Sequence, residues 1–416
     1  MNKARPELLS PAGDMERLRM ALTFGANAVY LAGRQYGMRG ACGNFDEREL
    51  REAVRLCHEK QVRVHVTVNT LPRDDEMAVL PTYLELLDGI GADALIVADL
   101  GVFNLARRYA PHCELHISTQ TGIVNSATAE GWFDLGAKRV VLARELSLDE
   151  ILRLRQQTPK ELEIETFIHG SMCVSFSGRC LLSNYMTGRD GNRGVCAQPC
   201  RWKYALMEEK RPGQYFPIYE TEQGTYIMNS KDLCMIEHIP DLVEAGIDSL
   251  KIEGRMKTAL YVATVARTYR KALDDYKKDP QLYYDNMEWY KEEIGKCTYR
   301  EFTTGFFYGK PQTDAQIYDT ATYVKNYIYL GTMGPVDENG YVVFEQKNKF
   351  LTGDVIEIMK PDGRNIATTV LEIRAKDGTV QESAPHASQE LHVKFSVMPE
   401  QYDILRVKAE DSRKPE

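Results

Sequence analysis

The sequence predicts an α/β fold, a (β/α)8 TIM-like barrel, for about the first 250 residues. One sequence pattern recurs there: an apolar residue, then Gly-Ala, and then an apolar run. It occurs at Phe24–Gly33, Ile90–Asp99 and Leu135–Arg144, and more weakly at Ala245–Gly254. The glycine suits a helix end in the left-handed conformation, and the apolar run suits a buried strand. Repeated βα units of this length are typical of such a barrel.

Eight strands are predicted in this part, and helical patterns lie between most of them. The predicted strands are 7–12, 28–33, 62–68, 94–99, 113–118, 139–144, 163–169 and 248–253. The helical patterns include Met15–Thr23, Asp46–Lys60, Leu80–Leu87 and Leu148–Gln156. A doubly wound sheet is the alternative, but no Gly-x-Gly-x-x-Gly follows the first strand, as a dinucleotide-binding version would require.

The longest predicted connection follows the seventh strand and forms a cysteine-rich insertion at residues 170–246. It holds five of the nine cysteines of the chain: Cys173, Cys180, Cys196, Cys200 and Cys234. Barrel enzymes carry their chemistry on the loops after the carboxyl ends of the strands. The insertion therefore predicts a metal centre over the mouth of a catalytic barrel that spans residues 1–256.

Disulfides, a structural zinc ion and an iron–sulfur cluster are the three possible reasons for these cysteines. The amino terminus has no signal-like apolar run, and no window could cross a membrane, so we expect a cytoplasmic protein whose thiols stay reduced. The gaps of six, fifteen, three and thirty-three residues do not form paired zinc knuckles. Thiolates also suit an iron–sulfur cluster, and the spacing of the cysteines alone does not distinguish that cluster from a zinc ion.

Polar residues that follow the predicted strands are candidates for the same rim. Lys251 and Glu253 share one face of their strand and are expected to point into the barrel. Arg255 is the best candidate for holding an anionic substrate, because guanidinium binds carboxylate bidentately. His169 and Asp99 have a plainer interpretation as strand or helix caps. The other candidates are Asn69, Thr70, Thr119, Gln120, Arg144 and Glu145.

The chain after the barrel predicts a helical extension and then a small β-barrel domain. Residues 257–321 form the predicted extension or linker, and its aromatic residues, such as Tyr283 and Tyr290, are expected to pack helices. From about residue 322 to residue 408, short alternating strands such as Tyr327–Thr332 are separated by turn signals. The tail at 409–416 is expected to be disordered.

Long motifs in the insertion resemble peptidase family U32. They are Glu165–Cys173, Ser175–Ser183, Asn192–Arg201 and Asn229–Cys234, together with the opening Glu7–Gly13. The resemblance covers nearly the whole chain, including the C-terminal β domain. It implies a [4Fe-4S] cluster held by Cys173, Cys180, Cys196 and Cys234, with Cys200 as the alternative fourth ligand and zinc as the alternative metal.

The resemblance implies an oxygen-independent RNA hydroxylase, in spite of the family's older description as collagenase-like proteases. Chain length and the C-terminal domain look like the branch that forms 5-hydroxyuridine at the tRNA wobble position, with prephenate as hydroxyl source. Arg255, Lys251 or Arg144 would hold the prephenate carboxylates, and His169 would move a proton, with Glu253 beside them. The implied partners are a tRNA anticodon loop and a smaller paralogous subunit, with no DNA and no membrane.

The charge pattern supports RNA binding only locally. The formal net charge of −8 does not favour nucleic acid, because phosphate contacts dominate such affinity. Residues 179–204, however, hold five basic residues against one acidic residue, interleaved with Tyr185, Trp202 and Tyr204. Such a mixture of basic and aromatic residues suits the binding of a splayed RNA base, although a solvated loop with local ion pairs is the alternative. The candidate substrate contacts are Asn69, Gln120, Arg144, Arg189, Arg193 and Arg201.

Two other classes of function stay open. A peptidase could use a Cys–His pair from Cys173 and His169, but neither His-Glu-x-x-His nor Gly-x-Ser-x-Gly occurs, and one thiol does not explain the other cysteines. A zinc-stabilised RNA-binding module without chemistry would be a colourless protein that binds tRNA with a steep salt dependence.

Overall fold

Eight parallel strands close into a barrel in the computed structural model, which describes residues 6–40, 43–173, 180–202, 205–207, 215–217, 229–309, 316–317, 323–386 and 388–409. In chain order the strands are Glu7–Pro11, Ala28–Leu31, Arg63–Val68, Ala94–Val97, Glu114–Ile117, Arg139–Val141, Glu163–Ser171 and Ser249–Ile252. The eighth strand pairs with both the first and the seventh, which closes the ring. All eight predicted strands are confirmed, and the doubly wound alternative is wrong.

Helices follow most of the strands, as predicted, and side chains cap the starts of several of them. They are Met15–Thr23, Glu47–Glu59, Asp74–Met77, Leu80–Gly89, Leu100–Tyr109, Ser126–Asp134, Leu148–Gln157 and Ile239–Glu244. Asp46 and Ser147 form capping boxes with the glutamates three residues on. The side chain of Asp99 accepts the Val102 N–H, so Asp99 is a helix cap, its plainer interpretation.

The cysteine-rich insertion is tied to the barrel by one added strand. Asp232–Cys234 runs antiparallel to the seventh barrel strand and parallel to Phe302–Thr303. The buried carboxylate of Asp232 accepts hydrogen bonds from the Arg300 guanidinium at 2.6 and 3.0 Å. Shorter elements of the insertion are the helix Leu182–Thr187, the turns Gly191–Arg193, Pro199–Arg201 and Ile236–His238, and the strands Ala205–Met207, Tyr215–Pro217 and Asn229–Ser230, the last paired with Gln316–Ile317.

The chain divides into two compact units. The first contains Met1–Leu18, Asn27–Met256 and Arg300–Tyr323, and the second contains Arg19–Ala26, Lys257–Tyr299 and Val324–Glu416. The predicted linker at 257–321 is thus shared between the two units, because Phe302–Thr303 joins the barrel sheet. Among the described helices, none combines the length and apolar character needed to cross a membrane.

The second unit combines helices with an antiparallel sheet. Its helices are Ala259–Lys278, Pro280–Asp285 and Met287–Ile294, and Tyr283 and Tyr290 are buried among them. Its sheet contains Tyr327–Thr332, Val342–Glu345, Val355–Met359, Asn365–Ala375, Val380–Gln381, Glu390–Phe395 and Ile404–Lys408. A backbone hydrogen bond from Lys347 to Leu330 brings the two edge strands together, so the sheet curls around its own apolar core. Residues 410–416 of the predicted tail lie outside the described part of the chain.

Candidate active site at the barrel mouth

A cavity of about 180 Å³ at the carboxyl end of the barrel is lined by four cysteines, and we call it the thiol cavity. Cys173 follows the seventh barrel strand, and Cys180 precedes the helix Leu182–Thr187. Cys196 lies in the next loop, and Cys200 lies within the turn Pro199–Arg201. Cys173 and Cys196 are exposed, and Cys180 and Cys200 are partly buried. The insertion therefore brings its thiols to the barrel mouth, where the sequence places a metal centre.

Backbone contacts hold the loop that carries Cys196. Gly194, with φ +86°, accepts a hydrogen bond from Gly40 N–H at 3.0 Å, and a Cβ on Gly194 would lie 2.5 Å from the Gly37 oxygen. Only glycine allows this approach at that φ. The N–H of Gln198 donates to Cys196 Sγ at 3.3 Å. The contacts of Gly194 therefore position the loop without involving its cysteines, and Gln198 adds one contact to the Cys196 sulfur.

Cys234 does not line this cavity. It lies in the added strand of the insertion, directly opposite His169 of the seventh barrel strand. The described structure therefore brings Cys173, Cys180, Cys196 and Cys200 together and leaves Cys234 outside. Cys200, the alternative fourth ligand, lines the cavity, whereas Cys234, the fourth ligand that the family resemblance implies, does not.

A second, smaller cavity of about 70 Å³ adjoins the first, and we call it the mouth cavity. The two share five lining residues: Met38, Arg39, Thr119, Gln120 and Arg144. The mouth cavity is also lined by Tyr30, Asn69, Phe167, Lys251, Glu253 and Arg255. The strand-end rule therefore brings together six of the predicted residues, which are Asn69, Thr119, Gln120, Arg144, Glu253 and Arg255, with Lys251 beside them.

The mouth cavity is cationic around one carboxylate. Arg39 and Arg144 each place a guanidinium nitrogen 3.7 Å from a different oxygen of Glu253. Arg144 also donates to the Ser171 carbonyl at 2.6 Å and lies 3.8 Å above the Phe167 ring. Burial would raise the pKa of Glu253, but the three nearby arginines outweigh burial and hold that pKa below 4.5. Glu253 is therefore ionised at neutral pH.

Two cations of this region are already committed to protein partners. Arg255 is buried and donates to Thr67 Oγ1 at 3.0 Å and to Asn44 Oδ1 at 3.1 Å. Lys251 donates to the buried Glu165 at 2.7 Å, and its ammonium lies 4.6 Å from the Tyr30 ring. Arg39 and Arg144 line both cavities, whereas Arg255 lines only the mouth cavity, so Arg39 and Arg144 are better placed to bind an anion that enters from the thiol cavity.

Several predicted site residues lie elsewhere. His169 is buried with its ring 5.5 Å from that of Phe302, and it lines neither cavity. Arg189 donates to the Val195 carbonyl, and Arg193 pairs with Glu76 at 2.7 Å. The side chain of Arg201 lies outside the described residues, as do Arg179, Lys203 and Tyr204. Of the aromatics interleaved with these basic residues, Tyr185 is 87% exposed and Trp202 is 47% exposed.

Arg39 is the main site residue that sequence reasoning missed. It lies in the connection between the second barrel strand and the helix Glu47–Glu59, together with Met38. The strand-end rule was applied to other strands but not to this one. The signal was available, because this connection is among the longer ones in the barrel and contains both Arg34 and Arg39.

A buried histidine pair lies in the barrel interior. His65, His116 and Glu165 each offer an atom within 4.8 Å of the others, and the two rings meet edge to face at 4.8 Å. Burial, followed by nearby cationic groups such as Arg139, lowers the pKa of both histidines well below 6.5. Glu165 already accepts from Lys251 and from Arg139. The pair is therefore neutral, and its surroundings are cationic.

We expect stability to fall as the pH drops below about 6.5. The unfolded chain then binds protons that the folded histidines reject, so the free energy of unfolding decreases by up to about 1.4 kcal/mol per pH unit for each histidine. Urea titrations between pH 7.5 and 5.5 measure this slope. The His65→Gln/His116→Gln variant should have a flatter slope, and an unchanged slope would contradict the assignment.

Comparison with known proteins agrees with this architecture. The model for peptidase family U32 matches residues 13–317, and the model for the family's C-terminal domain matches residues 325–406. The chain is 40% identical to tRNA hydroxylation protein P1 of Bacillus subtilis, covering 92% of this chain and 90% of that protein. It is 35% identical to tRNA hydroxylation protein P of Escherichia coli, covering 92% of each. A third relative, tRNA hydroxylation protein P2 of Bacillus subtilis, is 34% identical over 73% of this chain and 98% of its own length. On these matches, which span both the barrel and the C-terminal sheet, the chain belongs to peptidase family U32.

Proposed function

We propose that this protein is an RNA-modifying enzyme that forms 5-hydroxyuridine at the wobble position of tRNA. A [4Fe-4S] cluster would be bound in the thiol cavity, and prephenate in the mouth cavity would be the source of the hydroxyl group. The observation that carries the proposal is the junction of a four-thiol cavity with a cationic cavity through five shared residues. The relatives named as tRNA hydroxylation proteins support the choice of RNA as substrate.

The donor set fits an iron–sulfur cluster. Four thiols face one cavity, and thiolates are the ligands that such clusters take. The hydrogen bond from Gln198 N–H to Cys196 Sγ is of the kind that tunes cluster potentials. When bound, the cluster supplies redox-active iron beside the barrel mouth. Two candidate ligand sets share Cys173, Cys180 and Cys196. The lining of the cavity favours Cys200 as the fourth ligand, and the family resemblance favours Cys234.

Prephenate carries two carboxylates, and the mouth cavity offers guanidinium groups for them. Arg144 and Arg39 line the cavity and contact different oxygens of Glu253, and each guanidinium can bind a carboxylate bidentately. The ionised Glu253 holds the two arginines in place before the ligand arrives. Gln120 and Asn69 add amide donors to the lining. These residues would orient prephenate toward the thiol cavity.

The surface around the thiol cavity suits an unstacked base. Tyr185 projects from the helix Leu182–Thr187, and Trp202 follows the turn that contains Cys200. Aromatic side chains of this kind bind splayed bases of RNA loops by stacking.

We place the enzyme in the cytoplasm, and the smaller paralogous subunit stays a prediction. The peptidase alternative has less support, because His169 does not line the thiol cavity with Cys173.

The test is a reaction with anaerobically prepared protein and unmodified tRNA, followed by nucleoside mass spectrometry. We expect 5-hydroxyuridine only when the protein holds about four irons and prephenate is added. Product without prephenate, or none from iron-loaded protein, would contradict the proposal. Iron content of the Cys200→Ser and Cys234→Ser variants then identifies the fourth ligand, because only loss of a ligand depletes the cluster.

A further inference from the structure

We propose that Gly194 is a positioning residue that couples the loop carrying Cys196 to the wall shared by the thiol cavity and the mouth cavity. Gly194 lies two positions before Cys196, and we call residues 191–198 the Cys196 loop. Residues 36–40 follow the second barrel strand, and we call them the wall segment. The inference rests on the proposed function, since it takes the cluster and prephenate as the occupants of the two cavities.

The wall segment supplies part of the lining that the two cavities have in common. Met38 and Arg39 line the thiol cavity and the mouth cavity alike. Met38 is buried, and Arg39 places a guanidinium nitrogen 3.7 Å from Glu253. Because packed interiors transmit displacements, a shift of the wall segment would change both cavities at once.

Gly194 packs directly on the backbone of the wall segment. Its carbonyl accepts a hydrogen bond from the Gly40 N–H at 3.0 Å. A Cβ at Gly194 would lie 2.5 Å from the Gly37 oxygen and 3.2 Å from the Met38 Cα. These are backbone atoms, which cannot turn aside as the end of a flexible side chain can. The φ of +86° at Gly194 adds backbone strain for a residue with a side chain.

A second link joins the Cys196 loop to the wall segment through Glu76. The Arg193 guanidinium lies 2.7 Å from the Glu76 carboxylate, and the Tyr36 hydroxyl donates to the Glu76 carbonyl at 2.9 Å. Ligation of Cys196 would fix its loop, and these contacts would pass that restraint to the wall segment. Because a preformed cavity has less ordering to do, a centre bound in the thiol cavity should raise the affinity of the mouth cavity for its ligand.

The experiment compares Gly194→Ala with Gly188→Ala in the full-length protein. Gly188 also has a positive φ, +68°, but a Cβ there would meet nothing within 4 Å. The control therefore carries similar backbone strain without the collision. Anaerobic preparations are analysed for iron content, for affinity for prephenate by calorimetry, and for hydrogen–deuterium exchange of the wall segment. Wild-type protein is measured in the same way before and after a chelator has removed its iron.

We expect Gly194→Ala to bind prephenate about tenfold more weakly than the wild type, with faster exchange at residues 36–40. Gly188→Ala should match the wild type in both quantities. Removing iron from the wild type should weaken prephenate binding and speed exchange of the wall segment in the same direction.

Exchange elsewhere in the shared lining is the internal control. Thr119 and Gln120 also line both cavities, but hydrogen bonds to Leu142 and Ser118 hold their turn. Their exchange should therefore stay constant when Gly194 is replaced.

Unchanged exchange of the wall segment, either in Gly194→Ala or after iron removal, overturns the proposal. An affinity for prephenate equal to that of Gly188→Ala overturns it as well. If the wild type binds no prephenate, exchange alone decides: faster exchange at residues 36–40 keeps the coupling, and the co-substrate of the proposed function fails. If all the expected changes occur but no 5-hydroxyuridine forms, the coupling stands and the proposed function fails.

Discussion

Replacing Cys180 with alanine is expected to abolish both the cluster and the formation of 5-hydroxyuridine. Cys180 lines the thiol cavity and belongs to either candidate ligand set, so its loss leaves at most three thiolates for a centre that takes four. Iron and sulfide analysis of anaerobic protein should show a fall from about four irons per chain to below about one. Modified nucleoside should be undetectable in the same preparation.

The matched control is Cys57→Ala. Cys57 lies on the buried face of the helix Glu47–Glu59, and burial raises the pKa of its thiol to about 12, so it stays protonated and does not bind metal. This variant should keep its iron and its activity. Hydroxylation by the Cys180 variant at the wild-type rate would contradict a catalytic cluster. A single zinc in the wild-type protein would instead indicate the RNA-binding module without chemistry.

The site residues that directly follow barrel strands could be predicted, because the carboxyl ends of all the parallel strands lie at the same end of the barrel. Asn69, Gln120 and Arg144 line the same cavity for that reason, although they follow three different strands. Arg39 obeys the same rule, because it lies in the connection after the second barrel strand. The fold was predictable because four of the eight strands follow the same local signal, a glycine and then an apolar run, and the other strands share the apolar run.

His169 shows where the alternation of side chains fails as a guide. The pairing of the seventh and eighth strands shifts between Lys251 and Ile252, so that Lys251 lies opposite Phe167 while Ile252 lies opposite His169. Such a bulge reorients the residues beyond it. His169 is consequently placed beside Phe302. The segment that contains Phe302 returns to the barrel sheet, and no local sequence signal indicates that return.

Loop residues of the insertion could not be placed from sequence, because their partners are distant. Arg193 pairs with Glu76, 117 positions away in the chain. The choice between Cys200 and Cys234 has the same origin, since pairing of the added strand with the seventh barrel strand sets Cys234 opposite His169. Only the three-dimensional structure distinguishes a cysteine that faces the cavity from one that is held in a sheet.

The second large effect is expected at Arg144. The Arg144→Met variant keeps much of the packing on Phe167 but removes the guanidinium that would bind a prephenate carboxylate. Two charge-assisted hydrogen bonds are together worth about 3–5 kcal/mol, so the KM for prephenate should rise by about 10²-fold or more. Affinity for tRNA should be nearly unchanged. Steady-state rates against prephenate concentration, together with tRNA binding, measure both effects.

Arg144→Lys is the control that separates charge from geometry. Lysine keeps the positive charge near Glu253 but loses the bidentate fork, so its KM should lie between those of wild type and the methionine variant. The pH profile gives a second readout: Arg144 helps to hold the pKa of Glu253 low, so that pKa should rise in the methionine variant and less in the lysine variant. If both variants instead weaken tRNA binding and leave the KM for prephenate unchanged, Arg144 contacts RNA, and the co-substrate site must be sought around Arg39.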